Sequence, residues 1–166
     1  MLDISRLSAR YGVRRMSDAD ADAIFELCLS NPQFYEYCGR QPSRERVMSD
    51  LHITPPGIAP SDKYYVGFYD GADLAAVMDL IDGYPDGEHC YIGFFMMNMR
   101  FQGRQIGSAV IREACLYLKE AGYRAVRLAI DKGNPQSTHF WKKNGFQVIR
   151  EAEQDGGVLL VAEKTL

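Results

Sequence analysis

The segment Arg100 to Ile111, RFQGRQIGSAVI, lies between an apolar run and a stretch of helical period, and its chemistry suits an anion. The first N–H groups of a helix have no intrahelical acceptor, and the macrodipole adds partial positive charge at the same place. Gly103 and Gly107 let the backbone come close to a ligand, and Arg104 supplies a formal charge. A diphosphate-bearing molecule is the natural guest. The glycines stand four apart, which is not GxGxxG, and no GK[ST] follows, so the dinucleotide and P-loop readings fail. Taken alone, the segment is equally a strand-to-helix turn that binds nothing.

A second segment, NPQSTHFWKKNGF, runs from Asn134 to Phe146. By itself it reads as a helix with Asn134 at the N-cap, Pro135 at the first helical position, an aromatic face and a glycine stop at Gly145. Together the two segments resemble the GCN5-related N-acetyltransferase (GNAT) family. Gln102-Gly103-Arg104-Gln105-Ile106-Gly107 is similar to its Q/R-x-x-G-x-G/A loop, except that Gln105 replaces a glycine. Asn134 to Phe146 is similar to its N-x-x-A-x-x-F-Y-x-K-x-G-F signature, except that Trp141 stands at the tyrosine. The likeness covers about residues 63–164.

The resemblance implies an acyl-CoA-dependent N-acetyltransferase that moves an acetyl group from acetyl-CoA to a primary amine within a ternary complex. The loop from Gln102 to Ser108, including Gly103, Arg104, Gln105, Ile106 and Gly107, inherits the pyrophosphate. Phe95, Met96 and Met97 offer backbone groups to the pantetheine arm, and Asn134 and Trp141 complete the cofactor site. The acceptor is a small-molecule or peptide amine, no metal is implied, and pairing through the terminal strands as a homodimer is compatible with the family. Gln105 and Trp141 also motivate a rival, a non-catalytic acyl-CoA-binding or sensor protein of the same fold.

A lysine-like amine has a pKa of about 10.4, so direct transfer needs a base. Asp79 interrupts the otherwise apolar LAAVMDLI and is the chosen candidate, because an Asp near the centre of a sheet needs a partner; read more plainly, it is a strand residue that faces solvent or caps a turn. Asp82, Asp86 and Glu88 read as solvated hairpin tips. The indole of Trp141 donates a hydrogen bond but gives up no proton at useful pH, so it supports the departing sulfur without protonating it. Ser137 and His139 are back-up acids. Phe34, Tyr35 and Tyr37 are candidates for the acceptor wall, and no residue there identifies the amine.

The elements that must hold these residues read as strand (Ala9 to Arg15), helix, helix (Arg44 to Leu51), three antiparallel strands, helix, strand, helix and a terminal hairpin turning at Gln154 to Gly157. The fold class is α+β, a three-layer α/β arrangement with a mixed, mostly antiparallel six- to seven-stranded GNAT sheet flanked by about four helices. A length of 166 residues suits one domain, 1–166. With 46% hydrophobic and 25% charged residues the composition is that of a soluble protein, and a net charge of -3 without a basic patch argues against nucleic acid. No long apolar run suggests a membrane span, and Met1 to Arg15 lacks a secretory pattern, so the expected location is cytoplasmic. The four cysteines are too scattered for zinc and read as reduced core thiols.

Overall fold

Alternating apolar residues build a mixed sheet of seven strands among the residues that the computed structural model describes, 1–154 and 156–166; Asp155, inside the expected terminal turn, lies outside them. In chain order the strands are β1 (Gly12–Arg15), β2 (Lys63–Asp70), β3 (Asp73–Asp82), β4 (His89–Met97), β5 (Ala125–Asp131), β6 (Gln147–Gln154) and β7 (Gly157–Thr165). Their spatial order is β1-β2-β3-β4-β5-β7-β6, antiparallel except for the β4–β5 pair. The helices are α1 (Ala21–Leu29), a short α2 (Pro32–Tyr35), α3 (Arg44–His52), α4 (Ile106–Glu120) and α5 (Pro135–Lys143).

The alternation sorts side chains onto two faces. Val66, Phe68, Met78 and Leu80 pack with Val110, Ile111, Ala114 and Leu118 of α4. Tyr65 and Val77 pack with Ile24 and Leu27 of α1 and with Val47 and Leu51 of α3. Both α4 and α5 end in Schellman motifs, in which Gly122 and Gly145 take positive φ. Tyr123 N–H then reaches Leu118 C=O and Phe146 N–H reaches Trp141 C=O, each at 3.1 Å. The second of these seats buried Phe146 against Trp141, with ring centroids 5.0 Å apart.

The first strand is shorter than expected. Ile4–Leu7 is a 3₁₀ turn, and the Ser8 hydroxyl accepts from the N–H groups of Arg10 and Tyr11, so pairing with β2 begins only at Gly12. The capped start at Ser17 is present as a capping box with Asp20, which opens a 3₁₀ turn ahead of α1.

One irregularity shapes the site. Asp79 pairs with Phe94 while Leu80 pairs with Ile92, so Gly93 is the extra residue of a β-bulge in β4. The β4–β5 pairing runs from His89↔Ala125 only to Ile92↔Leu128, although both strands continue, and beyond the bulge they part.

Candidate acyl-donor and acceptor site

Where β4 leaves β5, a cavity of about 280 Å³ lies between the end of β4, the start of α4 and α5. Phe95, Met96, Met97, Gln102, Gly103, Gln105, Ile106, Gly107, Ser108, Asn134 and Trp141 all line it, so the structure brings these sequence-predicted residues to one place. Arg104 is exposed and does not line it; the basic residue at this cavity is Lys143, at the end of α5. Ala109 N–H donates to Gln105 C=O at 3.0 Å as α4 begins, which leaves the N–H groups of Ile106, Gly107 and Ser108 without intrahelical acceptors. Gln105 is the N-cap at φ 60°, ψ 10°, the left-handed conformation that explains why a glycine is expected there.

Gly107 has a different reason to be glycine. Its φ is ordinary, but a Cβ would lie 3.2 Å from Phe140 and 3.3 Å from Met97, so the missing side chain lets α4 sit against α5 and the end of β4.

Asn98 N–H donates to Ala75 C=O beside the Ala76↔Met97 pair, so Met97 turns its own peptide groups away from β3 and toward the gap; by alternation Phe95 does the same and Met96 faces β3. Met97 C=O already accepts from Asn31 Nδ2 at 2.9 Å and from Gln102 Nε2 at 3.2 Å, and Gln102 also donates to Asn31 Oδ1. The groups left to face a guest are Met97 N–H and both peptide groups of Phe95. Asn134 is buried and accepts from Ser137 N–H at 3.0 Å, the cap that starts α5. Trp141 is buried in edge-on contact with Phe95, Phe140 and Phe146.

A second cavity of about 690 Å³ lies between the sheet and the chain around α2 and α3, and Phe34, Phe95, Ser137 and Trp141 wall both cavities. Asp79 lines this second space together with Asp50, Asp131, Tyr35, Tyr65, Tyr84 and Tyr91. Asp79 is buried, and its Oδ2 accepts from buried Lys63 Nζ at 2.6 Å across neighbouring strands, while Oδ1 has no partner among the described residues. Burial pushes the Asp79 carboxyl up to about 6, the Lys63 charge pulls the other way, and Asp50 adds to the rise. Burial likewise raises Asp50 and Asp131. Gly93 belongs to this arrangement, since a Cβ there would lie 2.7 Å from Asp79 Oδ2.

Of the remaining candidates, Ser137 lines both cavities, His139 is exposed, and Tyr37 is 43% exposed and lines neither. Asp82 accepts from Tyr123, Asp86 pairs with His89 and Glu88 with Arg124, all away from the cavities. All four cysteines are free; Cys38 is half-buried rather than in the core. Sequence reasoning missed Asn31, Gln136, Lys143 and Lys63. Asn31-Pro32 carries the same cap signal as Asn134-Pro135, whereas a lysine at a strand's first residue gives no sign that it will be buried.

The fold is that of known acetyltransferases. An acetyltransferase from Thermus thermophilus superposes with a TM-score of 0.75 at 20% identity, over 94% of this chain and 97% of that one. The PaiA N-acetyltransferase from Thermoplasma acidophilum, solved in complex with coenzyme A, superposes with a TM-score of 0.66 at 18% identity, over 94% and 99%. In sequence, a mycothiol acetyltransferase of Propionibacterium freudenreichii subsp. shermanii is 29% identical over 68 residues; the match takes in 41% of this chain and only about a fifth (21%) of that relative's length. The Acetyltransferase (GNAT) family matches residues 25–146, and the chain belongs to it.

Proposed function

We propose that this chain is a single-domain, cytoplasmic N-acetyltransferase that transfers the acetyl group of acetyl-CoA directly to a primary amine of a small molecule or peptide. The observation that carries this reading is the junction of the two cavities. A cleft edged by unpaired peptide groups and a helix N-terminus opens, through a shared wall at Phe95, Ser137 and Trp141, into a space that holds a buried carboxylate. The amides of residues 103–108 and the start of α4 suit a diphosphate, with Lys143 adding charge at the same cavity. The edge formed by Phe95 and Met97 suits an amide-bearing arm that acts as a substitute strand. That arm delivers a thioester to the junction.

In this reading Asp79 removes a proton from the acceptor ammonium, and the freed nitrogen attacks the thioester carbonyl. Met97 N–H is placed to polarise the carbonyl oxygen, and Trp141 packs beside the leaving sulfur. Since a thiol of this kind has a pKa of about 8.5, the thiolate departs without a dedicated acid. The test is CoA release from acetyl-CoA against a peptide, a polyamine, an amino acid and an aminoglycoside. Turnover with one of them, lost in Asp79→Asn at unchanged acetyl-CoA affinity, supports the reading. Tight acetyl-CoA binding with no turnover on any acceptor favours instead a non-catalytic acyl-CoA sensor, the reading that an indole in place of an acidic phenol at position 141 motivates.

A further inference from the structure

Lys63 and Asp79 face different spaces. Asp79 lines the acceptor-side cavity, whereas Lys63 lines a third cavity of about 400 Å³, with Arg15, Asp18, Ala19 and His52 around it; Tyr65 lines both. The Lys63–Asp79 pair and the Tyr65 ring are therefore the partition between the two spaces. Lys63 Nζ sits 5.8 Å from the centroid of that ring, and its side chain is only 3% exposed. Among the described residues, Lys63 is the hydrogen-bond partner of the Asp79 side chain, and Asp79 Oδ1 has none. A proton taken up by Asp79 while donor and acceptor fill the other two cavities thus has one polar neighbour to go to.

We infer that Lys63 relays the proton that Asp79 removes from the acceptor amine into the third cavity, which serves as the proton outlet of the transfer site. The inference rests on the reading of Asp79 as base. The balance is simple. The acceptor ammonium gives one proton to the Asp79 carboxylate and the new N–C bond forms; the C–S bond breaks with its electron pair on sulfur, and the second proton shed by the nitrogen passes to that thiolate, giving the free thiol. Lys63 then releases a proton to water in the third cavity and takes up the one on Asp79 across the 2.6 Å contact. The ion pair is restored, and one proton leaves per acetyl group transferred. Lys63 acts through Asp79 and is a positioning and relay residue. The other charged or titratable groups around the path are Asp50 from α3 and Tyr65 from β2, with Arg15, Asp18 and His52 around the outlet; there His52 Nε2–H donates to Asp18 Oδ1 at 2.6 Å, and both side chains are exposed to water.

Arginine separates relay from mere pairing, because a guanidinium keeps the ion pair but does not give up its proton. With the best acceptor of the panel, Lys63→Arg and Lys63→Met are both expected to lose about tenfold or more in kcat, with acetyl-CoA affinity unchanged and a larger solvent deuterium isotope effect. Wild-type kcat in Lys63→Arg would overturn the relay and leave Lys63 as a pairing group only. Should Asp79→Asn retain full activity, the underlying reading of the base fails instead. A measurement independent of turnover and of Lys63 variants uses the intact chain with ¹⁵N-labelled lysine, saturated with acetyl-CoA. Exchange of the Lys63 Nζ protons with water should persist, and Ala19→Trp, which plugs the outlet from the far side, should slow it about tenfold. Exchange that is abolished by acetyl-CoA, or unaffected by the plug, would overturn the outlet.

Discussion

If Asp79 is the base, kcat/KM must follow its ionisation, and the structure sets where. Burial raises the carboxyl to about 6 against the opposing pull of Lys63, and the reactive form is the charged one. Activity is therefore present above pH 6 and lost as the pH falls through it; at pH 5 about a tenth of the plateau remains. An acceptor ammonium of pKa about 10.4 titrates well outside this window. Stability runs the opposite way. The folded value lies above the unfolded one of about 3.9, so the contribution of this group is fully present below about pH 4 and lost as the pH rises through 6, on the order of 3 kcal/mol in total. The assay is kcat/KM from pH 4.5 to 8 for the wild type and Asp79→Asn, beside urea unfolding at pH 4.5 and 7. A wild-type acid limb near pH 4, or a limb near 6 that survives in Asp79→Asn, would refute the reasoning.

Gly93→Ala should lower stability by about 1–3 kcal/mol in urea unfolding and depress kcat, because its Cβ would displace Asp79 Oδ2 from Lys63; an unperturbed variant would mean that the carboxylate is not held there. Gln105→Gly should stabilise the chain by up to about 1 kcal/mol by relieving the left-handed backbone at φ 60°, less the flexibility that glycine adds to the unfolded chain. A clear loss of stability in thermal melts would show that the Gln105 side chain has a role of its own. Gly107→Leu should cost about 1–3 kcal/mol of stability by overpacking against Phe140 and Met97, and should weaken acetyl-CoA binding at least about tenfold. Unchanged affinity would remove the start of α4 from the donor site.

Local signals that act at one position were legible in the sequence. Period and terminal glycines placed α4 and α5, Asn134-Pro135 placed the cap, and the two motifs placed the residues that meet in the cleft. What escaped depends on pairing across strands. The bulge at Gly93 arises from a register that no single strand declares, and burial of Lys63 follows from Asp79 lying diagonally opposite on β3. Asp79 was recognisable as a polar interruption, but its solvent-facing alternative could be set aside only once the partner was seen. The direction of Arg104 was not legible either, because it is set by the turn around it; Gly103 and Gln105 on either side both take positive φ, and the arginine does not line the cleft. Gln102 showed another limit. It lines the cleft as the motif implies, and its side chain also ties Asn31 to the end of β4, a contact that no motif declares.

The central claim is that free peptide donors at residues 103–108 grip a diphosphate. Calorimetric titration with acetyl-CoA and with acetylpantetheine, which carries the same thioester arm without the diphosphate, tests it most directly. The account predicts that acetyl-CoA binds roughly a hundredfold tighter, about 2.7 kcal/mol, and that Gly107→Leu removes most of that difference. Equal affinities for the two compounds would contradict it.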